Sequence, residues 1–301
     1  MSYRESVKKE ILARLTHCAQ SHESIRAMLL YSSRANPHAS VDRFSDYDIL
    51  LAVEDVGIFH QDQRWLGDFG EVMVVLRNSL WQQHGFEMFV FVAHYLDGTK
   101  IDYAFYPTEF LTWACAQPKL PDDLDNDYWV LLDKDGLTTG LAQPTYQAYL
   151  PCPPSQEQYQ ATIESFFNDA LYVAKAIWRE DLFLLKYCLD NMMKFGDLRQ
   201  MLEWHIGIAH DWSLKPGAYG KGLKKRVEPT LWAELERTYT GAGGQENWQA
   251  LFATIELFQK VAVEVGAALG YSYSHALDEN VTRYLHKVRA NNEAKGFDGY
   301  N

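Results

Sequence analysis

The spacing of apolar residues changes part-way along the chain, and this change limits the choice of fold more than any other feature. Before residue 137, apolar residues form short runs of strand length between turn residues. After residue 156 they recur at three- and four-residue steps, the period of a helix buried on one side. The segment between holds four prolines and shows no period, which predicts a linker. We therefore predict an α+β chain, with a mixed sheet and flanking helices first and a helical bundle second.

Six segments of the first half have the length and composition of β-strands. Asp97-Gly98, the dipeptide most typical of a β-hairpin turn, separates two of them. Helices are predicted over residues 3–20, 23–27 and 108–116, and about five more follow the linker. The strands are predicted over residues 27–33, 47–53, 70–76, 86–96, 100–107 and 127–135.

The composition argues against several classes of protein. The formal net charge is −12 and no run of Lys and Arg forms a basic patch, so we expect no nucleic-acid partner. The apolar runs are far shorter than the ~20 residues that span a bilayer, so we expect no membrane association. The four cysteines form no CxxC pair and the first helix has no signal-peptide pattern, which favours a cytoplasmic protein. An acidic surface favours a cationic small molecule as partner.

Two carboxylates, Asp46 and Asp48, precede an unbroken apolar run in the stretch FSDYDILLAV. Side chains at positions i and i+2 of a strand point to the same face, so these charges lie side by side. Two unit charges ~4 Å apart repel by roughly 4 kcal/mol at an effective dielectric of about 20, and a divalent cation between them reverses the sign. Oxygen-only ligands suit Mg²⁺. By itself, however, this pattern is also common in solvated turns.

Residues on either side of the pair strengthen the metal interpretation. Upstream, Ser33 and Arg34 follow a predicted strand and could offer a hydroxyl, backbone N–H groups and a guanidinium to phosphate oxygens. Downstream, Asp102 lies on the second strand of the predicted hairpin, on the face that it shares with Lys100 and opposite to Tyr103. A third carboxylate can complete a two-metal site or act as a general base.

A polar loop that ends in Ser, a DxD pattern on the next strand and an isolated Asp on a later strand together resemble the nucleotidyltransferase superfamily. More narrowly, the chain resembles the aminoglycoside 6-adenylyltransferases, the streptomycin-modifying enzymes. The resemblance covers nearly the whole chain in the expected order, including the helical half. The stretches that carry it are IRAMLLYSSRANP, FSDYDILLAVEDV, WLGDFGEVMV, DGTKIDYAFYP, VLLDKDG, MLEWHIGIAH, ENWQALFATIELF and LDENVTRYL.

This resemblance implies a nucleotidyltransferase domain over residues 1–140 and a helical substrate- and nucleotide-binding domain over residues 155–295. It implies an enzyme that transfers AMP from its co-substrate ATP to a hydroxyl of a cationic aminoglycoside, releases pyrophosphate and confers antibiotic resistance. The narrowest form of this prediction is the 6-position of streptidine in streptomycin. Asp46 and Asp48 would bridge two Mg²⁺ ions, and Asp102 would share one ion and act as the candidate base. We expect a monomer or a weak dimer.

Phosphate contacts are expected from the loop Ser32 to Arg34 and from lysines of the helical half. Lys175, in YVAKAIWRED, fits the family's lysine on the first bundle helix that faces the triphosphate, although its spacing fits a polar helix face equally well. Lys221 and Lys224 are further candidates because the stretch GAYGKGLKK is glycine-rich and basic, although a solvated loop is the simpler explanation for them.

The residue at position 32 departs from the family. The superfamily usually has Gly-Ser where this chain has Ser32-Ser33. Glycine allows a positive φ and a close approach of the backbone to phosphate, whereas serine carries a Cβ that restricts this geometry. Either this loop adopts ordinary dihedral angles, or its affinity for nucleotide is weakened.

Two alternative functions remain open at this point. The same chemistry could act on another acceptor, such as a lincosamide, or the chain could be a catalytically silent nucleotide-binding protein of the same fold. The three intact aspartates favour an enzyme. Acidic residues are expected to pair with the guanidinium and ammonium groups of the acceptor, and Glu71, Glu87 and Asp181 are the candidates.

Overall fold

A computed structural model of the chain describes residues 3–294, with side chains from residue 9 onward. The chain divides between Ala148 and Tyr149 into two units, each with its own core. The first unit contains a mixed sheet with helices, and the second consists of helices. The predicted α+β fold, with the sheet first and the helical bundle second, is confirmed.

The first unit contains four helices and seven strands within the described residues. All six predicted strands are present, and the three-residue strand β4 was not predicted. The elements in chain order are α1 (Tyr3–Ser21), β1 (Ile25–Tyr31), β2 (Tyr47–Val53), α2 (Val56–Gln61), α3 (Leu66–Phe69), β3 (Val72–Arg77), β4 (Trp81–Gln83), β5 (Phe86–Tyr95), β6 (Lys100–Pro107), α4 (Thr108–Cys115) and β7 (Tyr128–Asp133).

The prediction of a helix over residues 23–27 is wrong. Ile25 and Ala27 begin strand β1, where they pair with Val53 and Ala52 of β2 and are buried. Pairing with a neighbouring strand overrides the weak helical preference of a five-residue stretch. The predicted strand over 27–33 also ends earlier than expected, because residues 32–34 form one turn of 3-10 helix.

The seven-stranded sheet has the order β3-β5-β6-β2-β1-β7, and β4 pairs with β5. Each pairing is antiparallel except that of β2 with β6. Because β2 and β6 are parallel, their first residues lie at the same edge of the sheet, where the antiparallel strand β1 ends. The predicted β5–β6 hairpin is confirmed, and Gly98 in its turn has a φ of 84° that favours glycine.

Alternation along the strands gives each face of the sheet its own core. One face carries Ile49, Tyr103 and Phe105 and packs with apolar side chains of α1, α2 and α3. The other face carries Leu50 and Ala104 and packs with apolar side chains of α4 and of residues 120–141. Asp46, Asp48 and Asp102 have the same parity as the second group, so this face carries the carboxylates.

The segment after β7 is held to the first unit by the Asp125 carboxylate. This carboxylate accepts hydrogen bonds from the backbone N–H groups of Thr145, Gln147 and Ala148 at 2.6, 2.9 and 2.9 Å. Burial disfavours ionisation of Asp125, but these hydrogen bonds outweigh it and keep its pKa below the usual range. Part of the predicted linker, residues 137–156, is therefore an anchored loop.

The second unit is a helical bundle whose core includes a stacked ring pair, Phe166 on Phe258, with centroids 3.7 Å apart. A capping box between Ser155 and Gln158 begins its first helix. The helix predicted over 181–208 is present, but its middle, Tyr187–Leu198, is π-helical. The helices are α5 (Gln156–Trp178), α6 (Leu182–Lys186), α7 (Arg199–Ala209), α8 (Pro229–Arg237), α9 (Gly244–Leu269) and α10 (His275–Ala294).

Neither unit contains, in its described part, a helix that is both long enough and apolar enough to cross a bilayer. The four cysteines are free thiols.

Candidate active site

Asp48 and Asp102 lie directly opposite each other on the parallel strands β2 and β6. Tyr31, the last residue of β1, lies opposite Asp48 on the other side. Asp46 is two residues before Asp48, at the position just outside β2, and so projects to the same face. The register of three neighbouring strands therefore brings the three predicted aspartates to one edge of the sheet.

Lys100, the first residue of β6, lies among these carboxylates. Its Nζ donates a hydrogen bond to Oδ2 of Asp46 at 2.5 Å and to Oδ2 of Asp102 at 3.1 Å. Nζ also lies 2.9 Å from Oδ1 of Asp102, a buried oxygen that accepts no hydrogen bond. One ammonium group thus bridges two of the three aspartates.

The electrostatics of the cluster are dominated by burial and by repulsion between carboxylates. Burial, followed by the charges of Asp102 and Asp46, raises the pKa of Asp48 to about 6. Burial and the Asp48 charge also raise the pKa of Tyr31 well above its usual value, so its hydroxyl stays neutral. For Lys100, burial acts to lower the pKa, but the hydrogen bonds to Asp46 and Asp102 outweigh it and raise the pKa. Lys100 is therefore a cation at neutral pH.

The donor set fits a divalent cation that prefers oxygen. The cluster has three carboxylates and one ammonium, which pairs with Asp46 and Asp102, so it keeps an excess of negative charge. The buried Oδ1 of Asp102 accepts no hydrogen bond of good geometry, and its ion-pair partner is the Lys100 ammonium at 2.9 Å. Asp46, Asp48 and Asp102 are the residues that could hold Mg²⁺, and their all-oxygen chemistry suits that ion.

Ser32 adopts a backbone conformation that favours glycine. Its φ is 63°, in the left-handed region. The alternative that this loop has ordinary dihedral angles is therefore wrong. A residue with a Cβ pays roughly 1 kcal/mol for this conformation. The Ser32 hydroxyl donates a hydrogen bond to Asp48, which offsets part of that cost and would be lost with glycine.

Arg34 organises the loop that leads into β2. Its guanidinium donates to the backbone carbonyl oxygens of Ser45 at 2.6 Å and Asp46 at 2.9 Å, and it stacks on the Tyr47 ring at 3.9 Å. These contacts fix the backbone on which the Asp46 carboxylate is mounted. Ser33 lies in the same 3-10 turn as Arg34. Phosphate binding by Ser32, Ser33 and Arg34 stays a prediction.

A cavity of about 720 Å³ opens beside the carboxylates within the first unit. Asp46 and Lys100 line it, together with Arg34, Arg43 and further acidic and aromatic side chains. The acidic ones include Asp97, which is paired with Arg14 at 3.0 Å. The other acidic and aromatic lining residues are Asp42, Asp127, Phe44, Tyr47 and Trp129.

The predicted lysines of the helical half belong to the second unit, and their phosphate contacts stay predictions. The exposed Lys175 lies on α5 with its Nζ 4.7 Å from the centre of the Tyr172 ring. Lys221 is exposed in a loop, and the Nζ of Lys224 lies 3.1 Å from Oε1 of Glu236.

The three acidic candidates for the acceptor have different surroundings. Glu71 and Glu87 are exposed, the first just before β3 and the second on β5. Asp181 accepts a hydrogen bond from the backbone N–H of Leu184 at 3.3 Å and so caps α6. Contacts of these three residues with an acceptor stay predictions.

The profile of the family described as "Streptomycin adenylyltransferase" matches residues 6–288. The chain belongs to this family. The prediction of a nucleotidyltransferase of the adenylyltransferase type is thereby confirmed, as is the resemblance from which it came.

Relatives of this adenylyltransferase family member cover almost its whole length. The aminoglycoside 6-adenylyltransferase of Bacillus subtilis strain 168 is 28% identical over 273 residues, which are 90% of this chain and 93% of that protein. The Campylobacter jejuni protein of the same name is 28% identical over 284 residues, 92% of this chain and 94% of its own. A crystal structure of an aminoglycoside 6-adenyltransferase from Bacillus subtilis is 25% identical and covers 93% of this chain and 97% of its own, with a TM-score of 0.46.

Two residues of this family member's site were not predicted as site residues. Lys100 was placed on the face of Asp102, and that spacing was the available signal for its contact. Tyr31 gave no signal, because its position beside Asp48 depends on the pairing of β1 with β2.

Proposed function

We propose that this family member transfers AMP from ATP to a hydroxyl of an aminoglycoside, with Mg²⁺ as the metal. We further propose streptomycin as the acceptor, the 6-position of its streptidine ring as the site of modification, pyrophosphate as the second product and antibiotic resistance as the outcome. The family profile and the names of the relatives support aminoglycoside adenylylation in general.

The observation that carries this proposal is the register of Asp48 and Asp102 across β2 and β6, with Asp46 on the same face. A purely structural sheet edge gains nothing from three clustered carboxylates, because each raises the energy of the others. Asp46 and Asp48 would hold two Mg²⁺ ions between them, and Asp102 would share one. Bound there, the metal would neutralise phosphate charge and lower the pKa of a hydroxyl.

The protein's own side chains would accept the proton and position the phosphates. Asp102 is the candidate base that accepts the proton of the attacking hydroxyl. A new bond then forms between that oxygen and the α-phosphorus, while the bond from the α-phosphorus to pyrophosphate breaks. The turn of Ser32 and Ser33 would bind the phosphates and hold them in line with the hydroxyl. Phosphate binding by Lys175, Lys221 and Lys224 of the second unit is a separate proposal.

The carboxylates of the cavity support a cationic acceptor, and they share the lining with Arg34, Arg43 and Lys100. Asp42, Asp97 and Asp127 line it beside Asp46, and aromatic rings lie among them. Carboxylates form bidentate hydrogen bonds with guanidinium groups, and aromatic faces attract cations. Streptidine carries two guanidinium groups, so streptomycin matches this lining better than an acceptor that carries only amines.

Mass spectrometry of the acceptor tests the proposal directly. Streptomycin and kanamycin are incubated separately with the enzyme, ATP and Mg²⁺, and each is examined for the mass gain of one AMP. We expect the gain with streptomycin and little with kanamycin, which has no guanidinium group. Chelation of the metal should abolish the gain, and raised salt should weaken acceptor binding because charged pairs near solvent are screened.

The possible outcomes separate the general proposal from its narrow form. Modification of kanamycin but not of streptomycin contradicts the streptidine assignment and leaves aminoglycoside adenylylation intact. Modification of neither, together with no pyrophosphate release across a panel of aminoglycosides, contradicts the aminoglycoside function. A lincosamide, incubated with enzyme, ATP and Mg²⁺ in the same way, tests the alternative acceptor class.

A further inference from the structure

The ammonium group of Lys100 lies between the carboxylates of Asp46 and Asp102, where it reduces their repulsion. Its Nζ lies 2.5 Å from Oδ2 of Asp46 and 2.9 Å from Oδ1 of Asp102. Both partners are residues to which the proposed function assigns the metal. An ammonium group and a metal ion held by the same carboxylates repel each other, so each lowers the affinity of the site for the other.

The Lys100 backbone is held in the sheet, but its side chain can place the ammonium group either at the carboxylates or in the cavity. Its backbone is fixed by pairing with His94 of β5, whereas its side chain is a flexible four-carbon stem. Its side chain lines the 720 Å³ cavity, is only a quarter exposed, and reaches the carboxylates from the edge of that cavity. Rotation of the stem into the cavity would release the carboxylate oxygens without any movement of the strand.

We propose that Lys100 is a built-in counter-cation that holds Asp46 and Asp102 together in the metal-free enzyme and gives up their oxygens when a divalent cation binds. This inference rests on the proposed metal-dependent function. It has two consequences of opposite sign. The carboxylates stay close together before the metal arrives, and metal affinity is lowered because the ion must displace the ammonium group.

Lys100→Met tests both consequences because it keeps the apolar stem and removes the charge. Binding of Mn²⁺, which takes the same oxygen ligands as Mg²⁺, is measured by calorimetry without ATP or acceptor. We expect the variant to bind Mn²⁺ at least about tenfold more tightly than the wild type, because a nearby positive charge has gone. We also expect the metal-free variant to melt ~2–4 °C lower, because the carboxylates lose their counter-ion.

Two further variants separate this role from a general effect on folding. Lys134 is another partly buried lysine of the first unit, and its Nζ donates to the carbonyl oxygens of Ala19 and His22. Lys134→Met should lower the melting temperature and leave Mn²⁺ affinity unchanged. Lys100→Arg keeps the charge and should bind Mn²⁺ within about threefold of the wild type, since the competing cation remains.

A Lys100→Met protein that binds Mn²⁺ no more tightly than Lys134→Met would overturn the inference and leave the proposed function standing. A wild type that binds no divalent cation, with or without ATP, would overturn the proposed function itself. The two failures are therefore distinguishable in one set of titrations.

A separate group of metal-ligating side chains lies on the face of the sheet covered by α1. Cys18 is on α1, His22 follows the end of that helix, and Asp68 is on α3. One ligand atom from each lies within 4.8 Å of the other two, and Nε2 of His22 lies 3.1 Å from Oδ2 of Asp68. Sequence analysis did not predict this group, because Asp68 is distant in sequence.

The chemistry of this group suits a borderline-soft ion. Cys18 lies in the last turn of α1 and His22 directly follows that helix, so both belong to its carboxyl end. Thiolate, imidazole and carboxylate are the three ligand types of zinc sites. Asp68 is exposed, so solvent can supply water as a fourth ligand.

We infer that Cys18, His22 and Asp68 bind Zn²⁺ and thereby fasten α1 to α3. The ion would replace the thiol proton of Cys18 and complete a four-coordinate site with water. This site shares no residue with the aspartate cluster and does not depend on the proposed function.

Thermal unfolding of the chelator-treated protein with one equivalent of Zn²⁺ tests the inference. We expect a rise in melting temperature that is lost in Cys18→Ser and His22→Ala and kept in Cys152→Ser, which alters an exposed cysteine elsewhere. Co²⁺ should give the absorption of a thiolate-bound ion in the wild type and should not give it in Cys18→Ser. An unchanged melting temperature would contradict the inference. So would a Zn²⁺ effect that survives Cys18→Ser and disappears in Asp48→Asn, because the ion would then bind at the aspartate cluster.

Discussion

Each unit of the protein contains a partly buried group of charged side chains, and the two groups are balanced in opposite ways. In the first unit three carboxylates cluster around one ammonium group, that of Lys100, which pairs with two of them, Asp46 and Asp102. In the second unit two ammonium groups, those of Lys186 and Lys194, share the single carboxylate of Asp190 at 3.5 and 2.7 Å.

In the lysine group of the second unit, backbone carbonyl oxygens compensate for the excess positive charge. The carboxylate group of the first unit has less compensation for its excess negative charge. Lys194 also donates to the carbonyl oxygen of Thr238 at 2.5 Å, and Lys186 donates to that of Thr240 at 3.0 Å. In the first group, the buried Oδ1 of Asp102 accepts no hydrogen bond of good geometry and depends on the Lys100 ammonium at 2.9 Å, which Asp46 also uses. A charge excess that backbone groups satisfy stabilises a fold, whereas an excess left unsatisfied indicates a position for an ion that comes from outside.

The largest effect that this comparison predicts is the loss of turnover in Asp46→Asn and Asp48→Asn. Each substitution removes a charged ligand from the proposed metal, so turnover should fall at least about a hundredfold. The folded protein should survive, because Asn keeps the shape and removes repulsion. Adenylylation assays and metal-free melting curves measure the two effects. Turnover close to that of the wild type in either variant would contradict the metal assignment.

Asp190→Asn in the second unit should give the opposite pattern. The substitution leaves the side chain of Lys194 fully buried without its carboxylate partner, so the free energy of unfolding should fall by about 2 kcal/mol. Turnover per folded molecule should change little. Urea unfolding and assays below the melting temperature test this prediction. If Asp190→Asn lost turnover as Asp48→Asn does, the contrast between a structural and a functional group would be wrong.

The pH dependence of stability offers a third test, at a smaller scale. The pKa of Asp48 is about 6 in the folded protein, above the ordinary value of 3.8. The folded state therefore binds the proton more tightly than the unfolded state, and protonation stabilises it. This stabilisation is complete below about pH 4 and is lost as the pH rises through 6. Between pH 7 and pH 5, the free energy of unfolding should rise by about 1 kcal/mol from this group.

The measurement is urea unfolding of the chelator-treated protein at several pH values. The rise should be smaller in Asp48→Asn than in the wild type. Asp197 in the second unit also has a pKa raised to about 6, by burial and by the charge of Asp169, and supplies a similar dependence of its own. Asp197→Asn is therefore the companion variant, and each substitution should remove only its own share.

Local patterns in the sequence were sufficient for most of the fold. The DxD strand, the hairpin around Asp97-Gly98 and the long helices follow from alternation, turn residues and helical period, which are properties of neighbouring residues. Residues 23–27 were wrongly predicted because partner strands decide the structure of so short a segment. The π-helical segment has no sequence signal of its own, since its apolar spacing differs little from that of an α-helix.

The site was predictable in composition but not in arrangement. Asp46 and Asp48 share a face by spacing alone, whereas the pairing of Asp48 with Asp102 depends on the strand order β6-β2, which no local pattern encodes. The bridging position of Lys100 follows only from that register. Arg34 has the right chemistry for phosphate, but the fold uses its guanidinium to hold backbone carbonyl oxygens of the loop before Asp48.

The smallest predicted effect concerns Ser32. Two substitutions there separate the cost of its left-handed backbone from the contribution of its hydroxyl. Ser32→Gly relieves the left-handed backbone but loses the hydroxyl that donates to Asp48, so these two terms of about 1 kcal/mol each should nearly cancel. Ser32→Ala keeps the strain and loses the hydrogen bond, so it should be less stable than Ser32→Gly by about 1 kcal/mol. Because glycine lets the backbone approach phosphate, Ser32→Gly should bind ATP at least as tightly as the wild type. Unfolding measurements and nucleotide titrations of both variants test this order. A severalfold loss of ATP affinity in Ser32→Gly would instead identify the Ser32 hydroxyl as a direct ligand of the nucleotide.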